Sequence, residues 1–116
     1  MTAPQTVADV LDAAADLLTP EGAWVQGKMG RTAKGHTVRV AADIDAAVCY
    51  CAAGALWKAA GGEAGGRLVF KAFGVMSNQG RTPGIGTWND APGRTQSEVV
   101  AALREAATSA RQGEKA

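Results

Sequence analysis

The chain has 116 residues, of which 47% are hydrophobic and 20% charged, with a formal net charge of +1. This length and balance suit one globular domain spanning 1–116 around one core, and they exclude a disordered chain. A net charge this small gives no global pull toward nucleic acid or a membrane surface.

No apolar run approaches the roughly 18 residues needed to cross a bilayer. The segment from Met1 to Asp16 carries Asp9, Asp12 and Asp16 and no base, so it does not read as a signal peptide. Cys49 and Cys51 are too few for a disulfide scaffold, and a reducing, cytoplasmic setting is expected. Aromatics are scarce at 5%, while there are 25 alanines, which points to helices packed closely through small side chains. No membrane partner is expected, and the oligomeric state is not legible.

The first helix is marked by Val7, Val10, Leu11, Ala14, Leu17 and Leu18 at helical spacing, with Thr6 as cap and Asp9 three residues on. Pro20-Glu21-Gly22 ends it. From Trp24 to Val40 the helical period is lost. His36, Val38 and Val40 alternate with Thr37 and Arg39 as in a half-buried strand, and Trp24-Val25-Gln26 is the expected partner across a loop from Gly27 to Gly35.

A second helix is predicted from Asp43 or Asp45, with Ile44, Val48, Cys51, Ala55 and Ala59 as its buried stripe. Residues 61–66 then read as a flexible glycine connector. Val69, Ala72, Phe73 and Met76 predict a helix over 67–76. Residues 77–95 are rich in turn formers, including Pro83-Gly84 and Pro92-Gly93, and read as a long loop. The capping box Thr95-Gln96-Ser97-Glu98 opens a last helix that buries Val99, Leu103 and Ala106, with a frayed tail from about Gln112. The expected fold is α+β and mainly α, with about four helices and a small β-hairpin after the first.

Three landmarks stand out in this order: Trp24-Val25-Gln26-Gly27, then Cys51-Ala52-Ala53-Gly54-Ala55-Leu56, then Trp88-Asn89-Asp90 leading through Arg94 and Thr95 into the last helix. Their order and spacing resemble a family of short uncharacterised proteins, a domain of unknown function met in actinobacteria, proteobacteria and their phages. The resemblance spans about residues 7–107. The alanine-rich composition suits an actinobacterial or phage source. No activity is assigned to that family, so the resemblance implies a fold and no chemistry.

Candidate sites are few, and each has a bland counterpart. Two residues apart on one helix, Cys49 and Cys51 would face opposite sides, which excludes a shared metal and makes Cys51 a packing residue. A cysteine hydrolase would need Cys51 as nucleophile, the sole histidine His36 as base and Asp90 to orient it. Set two turns into its helix, Cys51 would lack the free N–H groups that lower a thiol pKa. Gly54, among Ala52, Ala53 and Ala55, marks a close approach of another element.

Trp24, Trp88, Asn89 and Asp90 form either a structural turn or a polar pocket mouth. The former has Asp90 bonded to Arg94 or to a backbone amide. Between Gly22 and Ala41 the chain holds Lys28, Arg31, Lys34 and Arg39 with no acid, and His36 stands among them. This basic segment, extended by Arg81 and Arg94, is the best candidate for contacting an anion; its bland reading is packing against the acidic first helix or plain solvation.

No helix-turn-helix pattern, zinc spacing, P-loop or dinucleotide fingerprint accompanies it. The leading expectation is a small non-enzymatic binding or regulatory protein that contacts a host protein or an anionic ligand, with no cofactor and no metal. The alternatives are the Cys51/His36/Asp90 hydrolase and a nucleic-acid binder.

Overall fold

The computed structural model describes residues 6–81 and 84–115. Among them are five α-helices and one three-stranded antiparallel sheet. This is an α+β fold, mainly α.

Helix α1 spans Val7–Leu18, and the Thr6 hydroxyl accepts the Asp9 amide at 3.1 Å. Its apolar face buries Val10, Leu11, Ala14 and Leu18 completely. Helix α5, Gln96–Lys115, lies antiparallel along it. Arg104 pairs with Asp12 and Asp16, while Arg111, one turn pair further on, pairs with Asp9 and Asp12. Ala8, Ala14 and Ala15 on α1 and Ala102, Ala106 and Ala107 on α5 are all buried. Small side chains on both helices allow the close packing expected from the alanine content.

The acids of α1 therefore turn to α5 and not to the basic segment. Helix α5 also continues to Lys115, past the predicted fraying point near Gln112.

The capping box at the start of α5 is complete: the Glu98 amide donates to the Thr95 hydroxyl at 3.3 Å, and the Thr95 amide donates to the Glu98 carboxylate at 3.0 Å. Hydrogen bonds from the Thr95 hydroxyl and then its amide hold the Glu98 carboxyl below the usual glutamate range. The stabilisation from this pair is therefore present above that range and is lost as pH falls through the depressed value. Thr95→Ala is expected to cost about 1 kcal/mol, read as a lower urea midpoint at neutral pH. A midpoint equal to that of the parent would show that the cap does not anchor the helix.

The middle of the chain departs from expectation. No single helix covers residues 43–59. A 3₁₀ turn runs over Ala41–Ala46, a strand follows, and a helix begins only at Ala52. The hairpin consists of β1, Gly30–Thr32, and β2, Thr37–Val38; Trp24-Val25-Gln26 is not its second strand. Its turn is closed by the Gly35 amide on the Thr32 carbonyl at 2.9 Å, with Gly35 at φ 88°, a conformation that a side chain would resist.

Strand β3, Ala47–Tyr50, pairs with the other side of β1. One step on β1, Arg31 to Thr32, faces two steps on β3, Cys49 to Ala47. Val48 is the extra residue of this bulge and stands 59% exposed. As a strand the segment buries Tyr50, and its β-branched and aromatic side chains suit a pleated conformation. Trp24 then bridges β3 from outside: the Tyr50 amide donates to the Ala23 carbonyl, and the Val25 amide to the Tyr50 carbonyl.

Helix α2, Ala52–Ala59, is short, and a 3₁₀ turn over Gly62–Gly65 turns the chain directly into α3, Gly66–Asn78. The glycine run is thus a compact corner and not a loose connector. The predicted long loop contains a fifth helix, α4, Ile85–Asn89, which sets Asn89 at its C-terminal end. Pro83 of the predicted Pro83-Gly84 turn lies outside the described residues. The core gathers α1, α2, α3 and α5 around Leu11, Leu18, Leu56, Met76 and Leu103, with Ile44 closing it from the sheet side.

Candidate functional site

The three sequence landmarks meet at one buried side chain. Asn89 has no solvent exposure. Its Oδ1 accepts Trp24 Nε1–H at 2.7 Å and the Ala52 amide at 2.9 Å. Its Nδ2 donates to the Val25 carbonyl at 3.1 Å and to Asp90 Oδ1 at 2.9 Å. Two acceptor and two donor bonds use the full capacity of a carboxamide.

The Ala52 amide is one of the first-turn groups that a helix leaves unpaired, so a residue 37 positions away in sequence caps α2. Around this centre, Asp90 Oδ1 accepts the Gly27 amide at 2.9 Å, and Gln26 Nε2 donates to the Asn89 and Ala91 carbonyls. Asp90 thus takes a backbone amide and not Arg94.

Gly54 completes the clasp. A Cβ at this position would collide with the Met29 carbonyl, which itself accepts the Cys51 amide at 3.0 Å. The small-residue face predicted around Gly54 therefore receives backbone, from the segment that leads into β1. The chain from Trp24 to Gly30 is held along its length by α2, α4 and β3.

Cys51 is the N-cap of α2, with extended backbone at φ −79° and ψ 177°, and its Sγ accepts the Gly54 amide at 3.3 Å. This corrects the expectation that it lies two turns into a helix facing away from Cys49. Cys49 sits on β3 with its Sγ toward the Arg31 carbonyl, and both thiols are free and buried. The helix-terminal amide that lowers a thiol pKa is present, yet burial outweighs it and pushes the Cys51 thiol up, with nearby Asp90 adding to the rise.

His36 stands exposed on the hairpin turn beside Thr32, whose partner on β3 is Ala47. Cys51 lies four residues beyond Ala47, about 13 Å along the strand direction at roughly 3.3 Å per residue. The fold brings Asp90 near Cys51 and keeps His36 at the other end of the sheet.

Trp88 lines a different face from Trp24. The Arg94 guanidinium lies over its ring at 4.1 Å and that of Arg81 at 5.7 Å, in a groove of about 380 Å³ that also includes Glu98 and Glu105. Arg94 is bonded to the Trp88 carbonyl and to Glu98, and Arg81 to Glu105. Both arginines are therefore engaged around Trp88 and α5, which removes them from the basic segment that the sequence assigned them to.

Lys28, Arg31, Lys34, His36 and Arg39 occupy the hairpin and its flanks, with all but Lys28 exposed. Among the described residues, none of these five side chains forms a salt bridge or a hydrogen bond. Lys58, Arg81, Arg94, Arg104 and Arg111 pair with acids elsewhere, while among the described residues Arg67 and Lys71 on α3 do not. Sequence reasoning located these bases but had no means of finding where the acids of α1 would go, because that depends on which helix packs on α1.

A model described as a family of unknown function (DUF6197) matches residues 2–109. No curated protein and no solved structure matches the chain.

Proposed function

The chain belongs to this DUF6197 family of unknown function, and on that premise we propose that it is a non-enzymatic binding protein that contacts an anionic partner through its basic hairpin. The observation that carries this reading is the concentration of bases with no ion pair among the described residues, Lys28, Arg31, Lys34, His36 and Arg39, on one short hairpin and its flanks, whose root is clamped by Asn89, Asp90 and Gly54. Exposed charges contribute at most about 1 kcal/mol each to folding. The fold has little need of the four exposed ones, Arg31, Lys34, His36 and Arg39, and the clamped root presents them without a large ordering cost on binding.

The partner is a protein or ligand with a negative face, and the compartment is the cytoplasm, a setting that suits two free thiols. The Asn89 clasp has a scaffold role in this reading: its donors and acceptors are already used.

The test is fluorescence anisotropy with labelled polyglutamate and a labelled single-stranded oligonucleotide, titrated with the protein between about 20 and about 200 mM salt. Saturable binding that weakens steeply with salt is the expected result. No binding of either probe at the lowest salt, or binding indifferent to salt, contradicts the reading.

A further inference from the structure

The sheet has two outer edges, and they differ. On the β3 side the outward peptide groups of Tyr50 are taken by Ala23 and Val25. On the β2 side the pairing pattern leaves Thr37 facing out. The Thr32 amide donates to the His36 carbonyl at 2.8 Å, and the His36 amide returns to the Thr32 hydroxyl at 3.1 Å, so Thr32 and His36 occupy a hydrogen-bonded position of the ladder. In an antiparallel ladder such pairs alternate, so Arg31 and Thr37, the next pair along, are not bonded to each other. The amide and carbonyl of Thr37 therefore point away from β1, and among the described residues they have no backbone partner. Val40, at φ −132° and ψ 151°, shows that the chain is still extended beyond β2, and its side chain is 51% exposed.

Side-chain alternation completes the description of this edge. Val38 faces the core, while Thr37, Arg39 and the cross-strand neighbour Arg31 share the solvent face. Beside this edge, between β2 and the 3₁₀ turn, lies a groove of about 440 Å³ lined by Thr37 and Val38 of β2 together with Thr32, Ala42, Ala46 and the carboxylates Asp43 and Asp45. Asp45 is tied to Lys58 at 2.9 Å. An added strand beside Thr37 would thus meet Arg31 and Arg39 on the solvent face and small or acidic groups toward the 3₁₀ turn.

Resting on the reading of the hairpin as the binding surface, the geometry points to an extended polypeptide segment, acidic at every second residue and small and neutral between, that adds to β2 as a fourth strand. Its backbone pairs with Thr37, its carboxylates lie beside Arg31 and Arg39, and its small residues face the groove. The positive edge also repels an identical edge, so a second copy of this chain is disfavoured there.

The probe is a synthetic peptide of alternating glutamate and threonine, compared with an oligonucleotide of equal charge. On the unmodified protein, binding of the peptide is expected to slow hydrogen exchange of the Thr37 amide by about tenfold or more. Thr37→Pro removes only an outward N–H, which an edge strand tolerates. It is expected to weaken peptide binding about tenfold or more, while Thr37→Val, which keeps the N–H, binds as the parent does. If the peptide or the oligonucleotide binds in a salt-dependent way without slowing exchange at Thr37, strand addition is wrong and the basic surface survives. If neither probe binds, both ideas fall.

Discussion

Asn89→Ala is expected to lower the unfolding free energy by about 4 kcal/mol, measured by urea denaturation. The truncation strands the Trp24 indole N–H, the Ala52 amide and the Val25 carbonyl, all bonded to Asn89 in the intact protein. Each buried polar group left unpaired costs about 1–3 kcal/mol, and water entering the space recovers part of the sum. Against a total stability of about 5–15 kcal/mol for a domain of this kind, that loss brings the variant near unfolding. Asn89→Asp separates the two halves of the network. It keeps the acceptors for Trp24 and Ala52 but places oxygen against the Val25 carbonyl and Asp90. Burial and the facing oxygens disfavour the ionised form, so the variant is expected to lose further stability as pH rises from the ordinary carboxylate range toward the raised value of the folded state. A full-stability Asn89→Ala protein would mean that the clasp is incidental.

Gly54→Ala and Gly74→Ala are expected to have opposite signs, although both place alanine in a helix where glycine is intrinsically poor. At Gly54 the new methyl meets the Met29 carbonyl, and that carbonyl cannot retreat without breaking its bond to the Cys51 amide. Overpacking against backbone costs about 1–3 kcal/mol, and this site belongs at the upper end. At Gly74, on α3, nothing lies within 4 Å of the added Cβ. The ordinary helix preference should then prevail, with a gain of about 0.5–1 kcal/mol. Thermal melts of the two variants run side by side check this, and equal shifts would refute the close approach at Gly54.

These sites explain which parts of the fold were legible in the sequence. Caps announce themselves locally, so Thr6 with Asp9 and Thr95 with Glu98 located α1 and α5, and their periodic apolar faces did the rest. Residues 43–59 misled because alanine-rich stretches satisfy a helical stripe whatever they form. The departure at Ala47–Tyr50 depends on β1, whose Gly30 and Arg31 supply partners from far along the chain. The same long-range pairing displaced Trp24-Val25-Gln26 from the hairpin to the outside of β3.

Landmarks drew attention to Trp24, Gly54 and Asn89 without giving the reason, which is that Asn89 bonds Trp24 and the first turn of α2, the helix whose Gly54 receives the Met29 backbone. The basic segment was visible as charge. Its lack of ion pairs among the described residues depends on the packing of α5 on α1, which directs the α1 aspartates to Arg104 and Arg111.

The central claim separates a clasp that holds the hairpin root from a hairpin that binds, and one variant tests it directly. Lys28, Arg31 and Lys34 are replaced together by glutamine, and melting temperature and polyglutamate affinity are measured on the same preparation. The expected result is a melting temperature within about 3 °C of the parent and an affinity at least about tenfold weaker. A clearly lower melting temperature with affinity unchanged would contradict the account, because the bases would then serve the fold and not a partner.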